Sequence, residues 1–318
     1  MEQDQAFVKR KRSKGKVAAY IVLIIFILSV LLVSFQVYGM IGGFAIPRER
    51  VTVIYVQGTM VTDNIPSGMG FASSEQICNE LRSASKDPFV KAIVLRINSP
   101  GGSPASAQEI VSEIKKIDED TPIVISMGDL AASGAYYISA PADRIVANPD
   151  TMTGSIGVIW VFENREWYFK EEGLNYTIIK SGELKDMGGP WRNLTEEEEE
   201  YATKIVMDSY GRFIDEVAEG RNLSVSETRQ LADGRVYLGS EAKDLGLVDD
   251  LGNMHDAIDI AAELGGISGT PDVEYVNQPD LFKLLFGGEM NVEEQINLGH
   301  NSLYLKEYPY GQILWIMN

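Results

Sequence analysis

The sequence predicts an α/β fold with a parallel β-sheet core and crossover helices, preceded by one transmembrane helix. Two observations predict it. After residue 48, short β-branched runs alternate with helical patterns, and parallel strands need crossover connections of this kind. Before that point lies a long apolar stretch without charge. The 318 residues suffice for one large domain behind such a segment.

The apolar stretch carries the signature of a membrane anchor. No charged residue occurs from Val17 to Pro47, and residues 17–40 are long enough to span a bilayer as a helix. Residues 1–16 hold six cations and two anions, so the positive-inside rule places them in the cytoplasm. We expect a single-pass signal-anchor helix in the cell membrane, with the rest of the chain on the extracytoplasmic side. A cleaved signal peptide is the alternative, although its apolar core would be only about 7–15 residues.

The elements after the anchor follow in order. Strands are predicted where β-branched and apolar residues concentrate: Val51–Val56, Lys91–Ile97, Pro122–Met127, Arg144–Ala147 and Tyr176–Lys180. Helices are predicted at Glu75–Ala84, Ala105–Ile117, Ala131–Ala140, Thr195–Glu219, Ser240–Leu245 and His255–Leu264. Thr195 and Glu198 form a capping box at the start of the longest helix. Residues 48–264 then make one domain, and residues 265–318 form a C-terminal arm.

Composition excludes several classes of function. The net charge is −18, and the first 46 residues carry +4, so the remaining chain carries −22. A body this acidic repels phosphate backbones, and we expect no nucleic-acid partner. A single cysteine, Cys78, excludes an internal disulfide framework and multi-cysteine zinc sites. With two histidines, His255 and His300, and no H-E-x-x-H, we expect no metal site and no cofactor.

Three glycine-containing turns follow predicted strands, at residues 98–103, 127–137 and 151–158. Glycines in the first turn let backbone N–H groups point at a bound oxygen. In the second, Ser133 stands among small residues, and the N–H of Gly134 would lie where an oxyanion donor is needed. Ser133 could equally be a helix N-cap. Ser155, in the third turn, is another candidate nucleophile or a tight-turn residue.

A nucleophilic serine needs a base, and the histidines supply none near a strand end. The sequence K-S-G-E-L-K-D at residues 180–186 follows a predicted strand. A lysine in this loop could reach the pocket of Ser133 and accept a proton if burial keeps it neutral. Most lysines are solvated cations, so spacing alone leaves both readings open.

The motifs N-S-P-G-G-S, G-D-L-A-A-S-G-A-Y-Y-I-S, T-G-S-I-G-V, K-S-G-E-L-K-D and A-D-G-R-V-Y occur in this order. This order resembles the short, single-domain form of signal peptide peptidase A, a family of membrane-anchored serine proteases with a Ser/Lys dyad. The resemblance runs from about Val51 to about Leu264, roughly two-thirds of the chain. It implies a Clp-protease/crotonase-like superfold and makes residues 48–264 a protease domain.

The resemblance also implies roles for individual residues. Ser133 would be the nucleophile, Lys185 the general base, and Ser155 the residue that orients the lysine. The N–H groups of Gly102 and Gly134 would form the oxyanion hole. The family pattern A-A-S-G-G-Y is altered here by Ala135, which adds a methyl group near the site and leaves the dyad intact.

The implied function is a serine endopeptidase that hydrolyses apolar peptides, such as remnant signal peptides, as a homo-oligomer. Whether Lys185 acts in its own or a neighbouring subunit stays open. The alternatives are a crotonase-like acyl-CoA enzyme on the same superfold and an inactive, peptide-binding membrane scaffold. Sequons at Asn175, Asn193 and Asn222 matter only in a host that glycosylates exported proteins.

The C-terminal arm ends in an apolar run, residues 308–317. Pro309 and Gly311 disfavour a helix there. We expect the residues after them to be extended and able to add as a strand to a groove. Two arrangements are open: packing on the arm's own subunit, or packing near the active site of a neighbour.

Overall fold

The computed structural model describes residues 14–41, 48–65, 70–117, 120–277 and 313–316, and at 14–18, 35–41 and 313–316 it describes the backbone alone. The chain divides into two compact units between Arg48 and Glu49.

The first unit is helix α1, Lys14–Ile41. Its described side chains, at residues 19–34, are exposed and mostly large and apolar. Across the described side chains of the chain, no helix meets both the length and the hydropathy required of a membrane span. The structure thus has a helix where the sequence predicts one. The location of that helix in a membrane stays a prediction.

The second unit contains the strands and the remaining helices. Its strands are β1 Arg50–Gln57, β2 Thr59–Val61, β3 Phe71–Ser73, β4 Val90–Ser99, β5 Gly101–Gly102, β6 Ile123–Ala132, β7 Arg144–Ala147, β8 Met152–Gly154, β9 Ile159–Trp160, β10 Val236–Leu238, β11 Asp250–Leu251, β12 Asp272–Val276 and β13 Ile313–Ile316. Its helices are α2 Ser74–Lys86, α3 Pro104–Ile114, α4 Gly134–Ser139, α5 Glu166–Glu171, α6 Glu196–Gly220, α7 Val225–Leu231, α8 Gly239–Asp244 and α9 Met254–Leu264, with a 3₁₀ turn at Glu183–Asp186.

Among the described residues, eight strands form the main sheet, in the order β10-β8-β6-β4-β1-β12, with β7 beside β6 and β11 beside β7. All pairings are parallel except that of β10 with β8. A second sheet of five described strands has the order β3-β2-β5-β13-β9. In it β13 is antiparallel to both β5 and β9.

The main sheet is buried on both faces, which explains why its strands are continuous apolar runs. Successive residues of β1 point to opposite faces: Val51 and Val53 pack under α9, whereas Ile54 and Val56 enter the larger core. The larger core also takes residues from α2, α3, α4 and α6. These two layers hold the carboxyl ends of β4 and β6 at one edge of the sheet.

Two sequence predictions need correction. Tyr176–Lys180 is not a strand: these residues are exposed and pair with no described strand, so their β-branched composition reflects a surface segment. The predicted helix Ala131–Ala140 begins only at Gly134, because Ala131 and Ala132 still belong to β6. In addition, β12 lies in the stretch assigned to the C-terminal arm, where no strand was predicted before residue 308, and it pairs with residues 50–54 of β1. The capping box of Thr195 and Glu198 is confirmed.

Candidate active site

Ser133 forms a sharp corner between a strand and a helix. β6 ends at Ala132 and α4 begins at Gly134. The backbone of Ser133 has φ 54° and ψ −120°, a conformation that residues with a side chain rarely adopt. The residue is 1% exposed, and its Oγ makes no capping hydrogen bond. Ser133 thus occupies the N-cap position of α4, but its hydroxyl does not cap the helix. The corner resembles a nucleophile elbow, in which a serine on a sharp strand-to-helix turn presents its hydroxyl.

Backbone contacts hold this corner in place. The Ser133 N–H donates to the Gly154 carbonyl at 2.8 Å, and the Ser133 carbonyl accepts from the Tyr137 N–H at 2.9 Å. Gly154 has φ +75°, and a Cβ there would lie 2.6 Å from the ring of Tyr237. A glycine is needed at this close approach, because any side chain would collide with Tyr237 of β10, the strand that pairs with β8.

Ser155 is brought beside the corner by the same contact, since it follows Gly154. It is buried, with φ 50°, and its N–H donates to the Arg235 carbonyl at 2.8 Å. Among the described residues its Oγ makes no hydrogen bond. The two candidate hydroxyls, Ser133 and Ser155, thus lie on neighbouring strand ends with strained backbones.

Gly102 reaches the same edge of the sheet. Ser99 of β4 pairs with Ala131 of β6, and β5, which follows at once, contacts α4. Gly102 has φ +157°, and a Cβ there would lie 2.1 Å from the Met60 carbonyl oxygen. The Gly101 N–H donates to Ser99 Oγ at 3.1 Å, which fixes the loop. Gly102 and Gly134 thus lie on elements that meet at this edge of the sheet, and their role as an oxyanion hole stays a prediction.

The C-terminal strand β13 lies between the two loops that border this site. Its backbone pairs with β5 at Gly101 and Gly102, and with β9 at Ile159 and Trp160. β9 begins four residues after Ser155. The predicted extended conformation of this part of the arm is confirmed, and in this structure it packs on its own chain. An extended segment can thus occupy the space between β5 and β9.

Lys185 is not joined to Ser133 by any contact in the described part of the chain. It lies in the exposed 3₁₀ turn Glu183–Asp186, and its N–H donates to the Gly182 carbonyl at 3.1 Å. Among the described residues its Nζ makes neither a hydrogen bond nor an ion pair. We call residues 161–191, which carry this turn, the lysine segment. The segment exposes an unusual number of large apolar side chains: Val161, Trp167, Tyr168, Leu174, Tyr176, Ile178 and Ile179, the last at 95%.

A network of charged side chains, which sequence reasoning missed, surrounds the turn. Asp186 accepts hydrogen bonds from Lys180 Nζ at 3.0 Å and from Arg192 Nη2 at 2.9 Å. Arg192 also binds both carboxylate oxygens of Glu198, at 2.7 and 2.6 Å. The Lys180 ammonium lowers the pKa of Asp186, and the Arg192 guanidinium lowers the pKa of Glu198. Successive members of the network lie six residues apart in the chain. Outside a helix, that spacing does not predict that two side chains are in contact.

The two histidines do not contribute to this site. His255 stands at the start of α9, the helix that covers the smaller core, and it is exposed. His300 lies outside the described residues. No histidine of the described chain is therefore placed to act as a base for Ser133.

A buried serine on a strained corner between a strand and a helix of a mostly parallel sheet is typical of a serine hydrolase site. The fold is Clp-protease-like: residues 60–153 match the family described as Clp protease. Residues 115–268 match the family described as Peptidase family S49.

Two relatives are similar to most of this chain. The chain is 37% identical over 278 residues to the putative protease slr0021 of Synechocystis sp., a match covering 85% of this chain and 96% of that protein. It is 38% identical over 222 residues to the putative signal peptide peptidase SppA of Enterococcus faecium, covering 70% of this chain but only 64% of that protein. The chain belongs to peptidase family S49, a family of serine proteases.

The chain is also similar to a solved structure. It is a point mutant of the membrane-bound stomatin-specific protease 1510-N, with 16% identity and a TM-score of 0.49 over 72% of this chain and 98% of that chain. Membership in a peptidase family favours peptide hydrolysis over the acyl-CoA alternative that the sequence left open.

Proposed function

We propose that this chain is a membrane-anchored serine endopeptidase that cleaves apolar peptides with Ser133 as nucleophile and Lys185 as general base. The observation that carries the proposal is that Ser133 is buried, has a strained backbone and makes no capping hydrogen bond with its hydroxyl. Strain of this kind persists only where the surrounding structure enforces it, and it clusters at active sites. Membership in the S49 family supports peptides as the substrate class.

The proposed reaction proceeds through an acyl-enzyme. Ser133 Oγ attacks the scissile carbonyl while neutral Lys185 takes its proton, and the Gly102 and Gly134 N–H groups stabilise the oxyanion. The C–N bond then breaks, and Lys185 gives the proton to the leaving amine. A water molecule, deprotonated by Lys185, attacks the ester and releases the acid and Ser133. The Ser155 hydroxyl orients the lysine amine.

Reaction with a fluorophosphonate tests this core of the proposal. The wild-type protein should be labelled covalently on Ser133 and should degrade casein, whereas Ser133→Ala should do neither. Labelling without any peptide turnover would favour the inactive scaffold instead. Labelling of Ser133→Ala at Ser155 would reassign the nucleophile.

We further propose that Lys185 reaches Ser133 of a neighbouring copy. Helix α6 contacts both halves of the site: Glu198, near its start, binds Arg192, and Phe213 packs edge-on against Tyr137 at 5.3 Å. These contact points lie fifteen residues apart, roughly 22 Å along the helix. The exposed apolar side chains of the lysine segment favour a second copy as the surface that covers them.

Mixing two inactive variants tests the arrangement. Ser133→Ala and Lys185→Ala should each be inactive alone. When they are co-expressed, mixed assemblies should regain activity, because one interface then pairs an intact serine with an intact lysine. No recovery in verified mixed assemblies would place both residues of the dyad in one chain.

The membrane location and the substrate rest on sequence and on kinship. Residues 17–40 lie within an uncharged stretch, and apolar side chains of α1 are exposed, which water disfavours and lipid does not. The Enterococcus faecium relative is named a signal peptide peptidase, and remnant signal peptides are apolar and embedded in a membrane. A C-terminal alkaline phosphatase fusion should be active if the domain is extracytoplasmic, and inactive if it faces the cytoplasm.

A further inference from the structure

The turn that carries Lys185 has little packing to hold it. None of the four residues of the turn Glu183–Asp186 is buried. The neighbouring residues 174–182 form no helix or strand and lie at the surface. A catalytic base must nevertheless be placed within a fraction of an ångström, because small misplacements of reacting groups are costly. Something other than a hydrophobic core must therefore fix this turn.

Asp186 is the point at which the turn is fixed. Its side chain is 10% exposed, and it adjoins Lys185 directly in sequence. Lys180 Nζ binds Asp186 and also donates to the Glu183 carbonyl at 2.8 Å, so one ammonium holds both ends of the turn. Arg192 binds the same carboxylate oxygen at 2.9 Å.

Arg192 connects the turn to the body of the domain. Its guanidinium binds Glu198 through two parallel hydrogen bonds, a planar geometry that a lysine cannot reproduce. Glu198 is 2% exposed and belongs to the capping box of α6, where its carboxylate accepts the Thr195 N–H at 2.9 Å. The chain of contacts thus runs from a 25-residue helix through Glu198, Arg192 and Asp186 to the lysine turn.

We propose that Asp186, Arg192 and Glu198 are positioning residues that hold Lys185 in reach of the serine it serves. The inference rests on the proposed function, since it assigns a purpose to the surroundings of the proposed base. It holds whether that serine is in the same or in a neighbouring copy, because the network fixes the turn relative to its own domain. Lys180 completes the clamp on the turn.

Asp186→Asn is the sharpest test, because it cuts the turn from the network and leaves the Arg192–Glu198 pair intact. We expect kcat to fall about tenfold to a hundredfold, with KM changed less than about twofold, since peptide binding does not use the network. Fluorophosphonate acylation of Ser133 should slow by the same factor. Asp186→Glu, which keeps the charge, should recover part of the rate.

Arg82→Gln is the matched control. Arg82 pairs with Glu113 at 2.7 Å. Glu113 is 8% exposed and has a second cation partner in Lys116, just as Asp186 binds both Lys180 and Arg192. This pair joins α2 to α3, and its loss should leave kcat within about twofold of wild type. Equal losses of kcat in Arg82→Gln and Asp186→Asn would reduce the network to a general contribution to stability and overturn the proposal.

A double variant separates positioning from an independent effect. In the Lys185→Ala background, Asp186→Asn should change the residual acylation rate by less than about twofold, because there is no lysine left to place. A further tenfold loss there would contradict the proposal. If the Tm of Asp186→Asn lies well below that of Arg82→Gln, Arg192→Lys is tested in place of Asp186→Asn. The expected loss of kcat and the result that would contradict the proposal are then the same. Full activity of Lys185→Ala would instead refute the proposed dyad, a failure distinguishable from that of the network.

Discussion

The serine site and the lysine segment are held in place by different forces. Ser133 is buried at the junction of a strand and a helix, and close contacts at Gly102 and Gly154 leave no room for side chains. The lysine segment, residues 161–191, exposes most of its side chains and is tied to the domain through charged groups. One half of the proposed dyad is thus fixed by packing and backbone strain, and the other half by electrostatics.

This difference has consequences for each half. Steric contacts in a core are insensitive to salt and pH, whereas ion pairs with partly exposed members are screened and titrate. The structure of the serine site should therefore be insensitive to salt and pH but easily disrupted by substitutions. The lysine segment should behave in the opposite way.

The largest expected effect comes from removing either member of the dyad. Ser133→Ala and Lys185→Ala should each lower kcat at least about a thousandfold with little change in Tm, and the double variant should be no worse than either alone, because the two act as one unit. Steady-state hydrolysis of a fluorogenic peptide measures this. Turnover by Lys185→Ala within about tenfold of wild type would remove that lysine from the mechanism and make Lys180 the next candidate.

A pair of glycine substitutions compares the two regions directly. Gly154→Ala should destabilise the fold by about 1–3 kcal/mol and abolish acylation of Ser133, because its Cβ overlaps Tyr237 and its φ is positive. Gly182, beside the lysine turn, has open space around it and no positive φ, so Gly182→Ala should change stability by less than about 0.5 kcal/mol. Urea unfolding distinguishes the two outcomes. Equal destabilisation would contradict the contrast drawn between the regions.

The same contrast decides what the sequence could predict. β1, β4 and β6 lie within one to five residues of their predicted bounds, because a strand buried on both faces must be an apolar run. Ser133 and Gly134 are adjacent in sequence, so a local motif predicts their juxtaposition. Local sequence patterns thus predicted the buried strands and the serine corner, because both depend on residues that are neighbours in the chain.

Prediction failed where pairing partners are distant in sequence. Tyr176–Lys180 has strand composition without a strand to pair with, and β12 is a strand because β1, more than 200 residues earlier, lies beside it. The ion pairs of Arg192 are invisible for the same reason: charge in a loop does not identify its partner. The position of β13 between β5 and β9 likewise depends on contacts that no local pattern encodes.

Removing the C-terminal strand tests how open the serine site is. Because β13 pairs with β5 at Gly101 and Gly102, it takes a position that an extended substrate would need. Deletion of residues 306–318 should raise the hydrolysis of short peptides severalfold. The same deletion in the Lys185→Ala variant should remain inactive. Unchanged kcat/KM in a soluble, correctly assembled truncation would show that the strand does not compete with substrate, and loss of assembly would mark it as structural.

The smallest expected effect is a dependence of stability on pH that belongs to the lysine segment alone. Hydrogen bonding to Lys180 and Arg192 lowers the pKa of Asp186 below its ordinary value of 3.8 in the folded protein. A carboxylate of this kind contributes stability at pH values above its unfolded pKa, and that contribution is lost as pH falls through the lower, folded pKa. Since the partners are partly exposed, solvent screening keeps the contribution small.

Asp186→Asn should therefore lower Tm by about a degree or two at pH 7, and the difference from wild type should shrink below about pH 4 and vanish in stronger acid. Ser181→Ala, a neutral change in the same segment, supplies the control, and its difference from wild type should not vary with pH. Thermal unfolding of the three proteins at pH 7, 5, 4 and 3 provides the comparison. A Tm difference for Asp186→Asn that stays constant down to pH 3 would mean that Asp186 holds the turn through its shape and hydrogen bonds rather than its charge. The electrostatic half of the contrast with the serine site would then have to rest on Arg192 and Glu198 alone.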